Sequence, residues 1–150
     1  MKNTLFIILA GLLFSFSAEA QKKKVKTKEK FTVPESVNTS FKGTYSDVAD
    51  SKWSKNYTGY YVADFTNATS QKQIVEYNSN GTVVKSRTYF DVNTLPEMVS
   101  TSLQARYAGV PVKELVRVEI PGVAPYYKAT IENSGRKKEL FISEQGIITE

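Results

Sequence analysis

The chain has 150 residues with twenty Lys and Arg, fifteen Asp and Glu, and neither Cys nor His. The absence of Cys excludes disulfides, thiol catalysis and Cys-ligated metal sites, and the absence of His excludes Ser-His-Asp triads, Cys-His pairs and the usual zinc sites. The eight Gly are scattered, so there is no Gly-rich phosphate loop. We therefore expect neither an enzyme nor a bound metal or cofactor.

Residues 1–20 have the layout of a secretory signal peptide. Lys2 forms a short basic region, residues 5–16 form an apolar region, and residues 18–20 read Ala-Glu-Ala before Gln21. A transmembrane anchor is the alternative, but a span needs about 20 apolar residues. We expect cleavage and a periplasmic or secreted protein, with no transmembrane segment afterwards. No Cys follows the cleavage site, so lipid attachment at a cysteine is not expected.

Residues 21–30 carry six Lys and one Glu, and this segment holds the whole excess of positive charge. Residues 31–150 contain thirteen cationic and thirteen anionic side chains and are neutral. A nucleic-acid-binding domain clusters its basic residues on a folded face, so no nucleic acid is expected as a partner. The sequence predicts a basic disordered tail that could contact an anionic membrane or lipopolysaccharide weakly.

Two segments of the neutral part repeat one pattern 62 residues apart. Residues 33–45 and 95–107 share Pro, Glu, Val, Thr, Ser and Tyr at six of thirteen positions. The apolar side chains in both recur every four residues, which predicts two helices, with Asn93 or Thr94 as caps of the second and Pro34 in the first turn of the first. The predicted buried residues of these helices are Val37, Phe41, Tyr45, Val99, Leu103 and Tyr107.

The sequence after each predicted helix alternates with period two, which predicts strands. In the first copy the turn at residues 80–81 is Asn-Gly, a strong hairpin signal. The predicted strands of the first copy cover residues 52–55, 60–65, 73–77 and 83–90. Those of the second copy cover residues 116–120, 126–131, 140–142 and 147–148, with turns at 134–135 and 145–146.

These elements predict an α+β protein. Each unit would be a helix followed by a four-stranded antiparallel meander, with both helices on one face of the sheet. We expect one globular domain over residues 31–150, made of two repeats at 33–90 and 95–150.

The order of motifs resembles the PepSY-like domain of exported Bacteroidetes proteins. The residues that carry this resemblance are the Pro-x-x-Val-x-x-x-(Phe/Leu)-x-x-x-Tyr helices, the strand Trp53, the Tyr-x-Ala-x-Phe run at 61–65 and a Gly-containing turn before the last strand. The second copy has Leu115 in place of the tryptophan. The resemblance implies a fold similar to that of the β-lactamase inhibitor protein, and it transfers no catalytic residue.

The carboxylates have ordinary structural explanations. Glu35 and Glu97 fall in the first turns of the predicted helices, where a negative charge complements the helix dipole. Asp47 and Asp50 fit a loop, and a weak calcium site is the alternative for them.

Aromatic residues out of phase with the predicted core are the best functional candidates. Such residues should project from the sheet face that the helices leave uncovered, next to charged side chains, and Tyr with Arg is typical of binding surfaces. We expect a non-catalytic exported protein that binds a protein or peptide there, and the resemblance implies an inhibitor-like role for it. The alternative is an envelope-associated spacer attached by its lysine-rich tail. The predicted contact residues are Tyr60, Asp64, Lys85, Arg87, Tyr89, Tyr126 and Lys128.

Overall fold

Two helices and eight strands follow one another along residues 31–150, which are the residues that the computed structural model describes. The predicted signal peptide and basic tail lie outside the described residues. The elements are α1 Glu35–Thr44, β1 Ser51–Lys55, β2 Tyr61–Thr66, β3 Lys72–Tyr77, β4 Val83–Phe90, α2 Glu97–Tyr107, β5 Val112–Ile120, β6 Val123–Asn133, β7 Arg136–Ser143 and β8 Ile148–Thr149.

The eight strands form one open antiparallel sheet in which each strand pairs with the next along the chain. Short turns connect neighbouring strands, except between β4 and β5, where α2 is inserted. The predicted α+β class and antiparallel sheet are therefore confirmed. Neither helix of residues 31–150 has the length and apolar character needed to cross a membrane.

Strand register shows that both helices pack on the same face of the sheet. Directly paired residues of antiparallel strands point to the same side. Val75 of β3 pairs with Ser86 of β4, and Phe90, on the same side of β4 as Ser86, pairs with Leu115 of β5. Val75 packs in the cluster that contains Val37 of α1, and Leu115 packs in the cluster of α2. We call this side of the sheet the helix face and the other side the open face.

Each helix forms its own hydrophobic cluster on the helix face. The α1 cluster is aromatic: the Phe41 ring contacts the edges of Trp53 and Phe65 at centroid distances of 5.2 and 5.1 Å. The α2 cluster is built from Val, Leu, Ile and Ala. Its buried residues are Val99, Leu103, Leu115, Ala129, Ile131, Leu140 and Ile142.

The predicted helix residues are buried except for the two tyrosines at the helix ends, which are half-buried. Each has a polar partner that accounts for this. The Tyr45 hydroxyl accepts a hydrogen bond from Gln73 Nε2 at 3.1 Å, and the Tyr107 hydroxyl donates to the Glu150 carboxylate. A phenol group at a cluster's edge can bury its ring while its hydroxyl stays paired.

The predicted caps of the second helix are wrong. Pro96 occupies the cap position and no side chain caps the helix. Asn93 instead belongs to a preceding turn, where its backbone N–H donates to Asp91 Oδ1 at 2.9 Å, and the Thr94 N–H donates to the Asp91 carbonyl at 3.0 Å. The Asp91 side chain organises this turn and so moves the helix start to Glu97. Pro34 likewise precedes the first helical residue.

Two hairpin glycines allow the turns after β3 and β7 to lie directly against the helices. A Cβ at Gly81 would be 2.5 Å from the carbonyl oxygen of Ser36, and a Cβ at Gly146 would meet the Ser102 hydroxyl. Both glycines have positive φ, 88° and 82°. These positions therefore require glycine for space as well as for backbone conformation.

Replacing Gly81 by Ala should destabilise the fold more than the same change at Gly109. Gly109 also has positive φ, but a Cβ there would meet no atom within 4 Å. We expect Gly109→Ala to lower the free energy of unfolding by about 1 kcal/mol from backbone strain, and Gly81→Ala by about 2 kcal/mol more from the clash with Ser36. Urea titration of both variants measures this difference. Equal losses of unfolding free energy would contradict the prediction, because they would show that α1 moves away from the added methyl group at no energetic cost.

Tyr77 is fully buried, and its hydroxyl makes no hydrogen bond within residues 31–150. Burial, and then the nearby Tyr45, raise the pKa of this phenol well above its ordinary value of 10.0. An unpaired buried hydroxyl destabilises a fold by about 1 to 3 kcal/mol relative to an apolar replacement that fills the same space.

Tyr77→Phe should leave the free energy of unfolding unchanged or raise it by about 1 kcal/mol. Tyr45→Phe should lower it by about 1 kcal/mol, because it removes an acceptor from buried Gln73. The pKa of Tyr77 is higher in the folded state than in the unfolded state. The stability that depends on a neutral Tyr77 phenol is therefore fully present below pH 10 and is lost as the pH rises further. Denaturant titrations at neutral and alkaline pH should therefore show a smaller alkaline loss for Tyr77→Phe. A destabilised Tyr77→Phe would contradict this.

Candidate functional site

Six of the seven predicted contact residues lie on strands and share the open face. Lys85, Arg87 and Tyr89 alternate along β4, and the register continues from Arg87 through Val118 to Tyr126. Asp64 on β2 pairs with the open-face side of β3, and Lys128 on β6 pairs with the open-face side of β5. Tyr60 lies immediately before β2, at the end of the β1–β2 hairpin.

Strand β5, in the middle of the sheet, presents valines to the open face, whereas its helix face carries Leu115 in the α2 cluster followed by the charged Arg117 and Glu119. Val116 and Val118 are each only 4% exposed although no helix covers them. Their neighbours across the sheet are the long side chains of Arg87, Tyr89 and Tyr126, together with Lys128, which account for this shielding. The sequence shows that apolar and charged residues alternate along β5, but it does not show which of the two sets faces the helices. These valines are therefore not among the predicted open-face residues.

Charges on the open face are mostly paired with one another. Arg87 Nη2 lies 2.7 Å from Glu76 Oε1, Lys128 Nζ lies 2.6 Å from Glu139 Oε1, and Lys72 Nζ lies 3.4 Å from Asp64 Oδ2. The Lys72 ammonium also lies 5.4 Å from the centroid of the Tyr89 ring. Three predicted contact residues, Asp64, Arg87 and Lys128, are therefore engaged in ion pairs across the sheet.

The Arg87–Glu76 pair extends to the tip of the β1–β2 hairpin through Asn56. Asn56 Nδ2 donates to Glu76 Oε2 at 3.1 Å. Its Oδ1 accepts from the backbone N–H of Thr58 at 3.1 Å, the Thr58 hydroxyl at 2.7 Å and the backbone N–H of Tyr60 at 2.9 Å. One side chain thus fixes the hairpin turn and ties it to β3, so the tip has a defined position over the sheet.

A cleft of about 510 Å³ lies between this hairpin tip and the ends of β4 and β5. The register between β3 and β4 shifts here, because Tyr77 pairs with Val83 while Glu76 pairs with Lys85. Val84 is the extra residue of this bulge and lines the cleft beside Lys85, whereas Val83 packs on the α1 cluster. The cleft residues are Asn56, Tyr57, Thr58, Tyr60, Glu76, Val84, Lys85, Arg87 and Ile120.

Tyr57, at the hairpin tip, is fully exposed. It is not among the predicted contact residues, because it lies in a turn, where strand phase gives no information. The run Asn56-Tyr57-Thr58-Gly59 is nevertheless a turn signal that carries an aromatic residue, and Gly59 has φ of 91°. That combination is the signal by which it could have been found.

The predicted contact residues form three separate groups. Tyr60, Lys85 and Arg87 meet in the cleft. Tyr126 packs edge-on against Phe141 of β7 at a centroid distance of 5.9 Å, and the Phe141 side chain is 41% exposed. Asp64 lies in a second cleft near the β1–β2 edge, together with Lys72. The open face thus offers an aromatic group on β6 and β7 and a mixed polar and aromatic cleft at the hairpin.

Residues 31–150 hold no group of three or more Asp and Glu side chains placed to bind a metal ion. Asp47 and Asp50 are exposed residues of the loop between α1 and β1. Glu35 and Glu97 occupy the first turns of the two helices, as predicted.

Comparison with known proteins identifies the fold but not the family. No protein-family model matches the chain, and no curated protein matches it. A DUF2874 family protein from Bacteroides ovatus is 26% identical with a TM-score of 0.70, covering 81% of this chain and 87% of its own. A BLIP-like protein from Bacteroides fragilis is 24% identical with a TM-score of 0.72, covering 81% and 86%. A candidate periplasmic protein from Bacteroides eggerthii is 21% identical with a TM-score of 0.68, covering 80% and 88%.

The Arg87–Glu76 pair should be energetically coupled, whereas an exposed pair on the same face should not be. The Glu76 side chain is only 14% exposed, and losing Arg87 would leave its carboxylate partly buried and unpaired. We expect a coupling energy of about 2 kcal/mol for Glu76→Gln with Arg87→Met in a double-mutant cycle. The control cycle, Asp64→Asn with Lys72→Met, should give about 0.5 kcal/mol or less. Equal couplings by urea titration would contradict a structural role for Glu76.

Proposed function

We propose that this protein is a non-catalytic exported binding protein that recognises a protein or peptide partner through the open face of its sheet. One observation carries the proposal: aromatic side chains that are exposed or half-buried lie on or beside a sheet face that neither helix covers. They are Tyr57 at the hairpin tip and the Tyr126–Phe141 pair on β6 and β7. Aromatic residues of this kind contribute most to binding at protein interfaces.

The hydrogen bonds and ion pairs of the open face favour this function further. Asn56 fixes the hairpin, and Glu76 connects it to Arg87, so the surface is organised before any partner arrives. A preorganised surface loses less conformational freedom on binding and so binds more tightly. The paired charges around the aromatic groups resemble the polar rim of an interface.

We also propose that the domain consists of two PepSY-like repeats. Gly81 abuts Ser36 of α1 and Gly146 abuts Met98 of α2, and these two helix positions are 62 residues apart, the spacing of the sequence repeat. Trp53 pairs with Ala63 in the first unit, and Leu115 pairs with Ala129 in the second. These matched contacts support the repeat boundaries 33–90 and 95–150.

An exported, inhibitor-like role follows from the sequence signal and the fold together. Residues 1–20 have the pattern of a cleaved signal peptide, and one solved structure of the same fold is named as a candidate periplasmic protein. Another is named BLIP-like. On this basis we propose a location in the periplasm or outside the cell, and a partner that is a periplasmic or secreted protein.

An alternative is that the protein is an envelope-associated spacer. The observation that favours it is the concentration of six Lys in residues 21–30 beside a neutral domain. Such a segment gains about 1 kcal/mol per Lys near an anionic lipid surface. The two functions separate by experiment, since only the first depends on the open face.

Tyr60→Ala and Tyr126→Ala should weaken partner binding without unfolding the domain. The chain without its signal peptide would be immobilised, incubated with an envelope extract, and the captured protein purified and titrated. Replacing a tyrosine that acts as a hot spot by alanine should raise the Kd of the complex by about thirtyfold. The free energy of unfolding should change by about 0.5 kcal/mol for Tyr60→Ala, and by about 1 kcal/mol for Tyr126→Ala, which loses the contact with Phe141.

The matched control is Gln104→Ala, an exposed position on α2 at the helix face. Arg87 is left intact because its removal would unpair Glu76. An unchanged Kd in the double tyrosine variant would show that the partner binds elsewhere. A Kd that rises equally in the Gln104→Ala control would point to the helix face.

A further inference from the structure

The cleft at the hairpin tip contains a cation without a partner. Lys85 is half-buried there and makes no ion pair within residues 31–150, although Arg87 beside it is paired with Glu76. The cleft therefore has one uncompensated positive charge. Among the predicted contact residues of the open face, Asp64, Arg87 and Lys128 are by contrast all paired.

The anionic group already in the cleft, the Glu76 carboxylate, is paired with Arg87 and Asn56. Glu76 Oε1 accepts from Arg87 at 2.7 Å and its Oε2 accepts from Asn56 at 3.1 Å. The Asn56 oxygen in turn accepts three hydrogen bonds from Thr58 and Tyr60. Within residues 31–150 neither Glu76 nor another carboxylate forms an ion pair with Lys85, so the Lys85 ammonium and the Tyr60 hydroxyl are the groups available to an incoming molecule.

The cleft wall beside Lys85 is apolar. Val84, brought to this side by the bulge in β4, and Ile120, the last residue of β5, line it, and Tyr57 lies at its rim. A single positive charge set among apolar and aromatic side chains suits a single negative charge on an apolar segment. A phosphate group would call for more cations than this cleft supplies.

We propose that this cleft binds a side-chain carboxylate, from an Asp or Glu flanked by apolar residues in the protein partner. This inference rests on the proposed function and assigns to it the chemistry of the partner's anchoring residue. Lys85 binds the carboxylate, the Tyr60 hydroxyl donates a second hydrogen bond, and Val84, Ile120 and Tyr57 contact the flanking apolar side chains. The partner is a protein lying across the open face, so its side chains rather than its chain end enter the cleft.

Three short peptides, two with amide-capped ends and one with a free carboxyl end, test carboxylate binding by NMR titration of the chain without its signal peptide. The first is acetyl-Gly-Leu-Glu-Leu-Gly-amide, the second has Gln in place of Glu, and the third is the Gln peptide with a free carboxyl end. The Glu peptide should shift the amide signals of Asn56, Tyr57 and Lys85 with saturation. The Gln peptide should bind at least about tenfold more weakly, because it lacks the charge-assisted hydrogen bond.

Variants separate the cleft from general charge effects. Lys85→Met should weaken binding of the Glu peptide to the level of the Gln peptide, Lys85→Arg should retain it, and Lys42→Met on α1 should change nothing. Equal binding of the Glu and Gln peptides, or unchanged binding in Lys85→Met, overturns the proposal. Tighter binding of the free-carboxyl peptide than of the Glu peptide would also overturn the proposal, because it would show that the cleft binds the carboxyl end of a chain and not a side-chain carboxylate.

The same variants distinguish this inference from the proposed function. With the captured partner, loss of binding in Tyr126→Ala together with unchanged binding in Lys85→Met would keep the open face as the binding surface and reject the carboxylate. Unchanged binding in both variants would reject the open face itself.

Discussion

Continuous register across eight antiparallel strands is the constraint on which the rest of the structure depends. Because paired residues share a side of the sheet, the register from β2 to β7 assigns every strand residue to the helix face or the open face. Helices α1 and α2 lie over the outer parts of the helix face and form separate clusters. A slip of one residue in any strand would exchange its two faces and destroy one of these clusters.

The centre of the sheet is organised differently from its two halves. Between the clusters the helix face is polar: Gln73 bonds to Ser86 and Tyr45, and Arg117 bridges Glu119 and Glu144. On the opposite side, β5 supplies Val116 and Val118. Strand β5 therefore places these two valines on the face that the helices leave open, while its Leu115 packs in the α2 cluster. This arrangement makes the open face a continuous surface, with an apolar floor beneath long polar and aromatic side chains.

Rigidity at the hairpin tip depends on one carboxylate and one amide. Glu76 joins Arg87 of the sheet to Asn56 of the turn, and Asn56 holds the backbone of the next residues. The fully exposed Tyr57 is therefore carried by a fixed turn. An aromatic side chain on a fixed turn loses little conformational freedom when it contacts a partner. Contact with a partner is the role that we propose for it.

The sequence by itself determined the helices, most strands, the α+β class and the open-face positions on β2, β4 and β6, because period and turn chemistry are local properties. Val37, Val99 and the Asn-Gly turn at Gly81 are read directly from neighbouring residues. It missed Tyr57, the bulge at Val84 and the start of α2, where turns and irregularities interrupt the periodic pattern. Only the tertiary structure decided which side of β5 faces the helices and which charges pair with one another. Those features depend on contacts between residues far apart in the chain, and spacing along one strand carries no information about its neighbours.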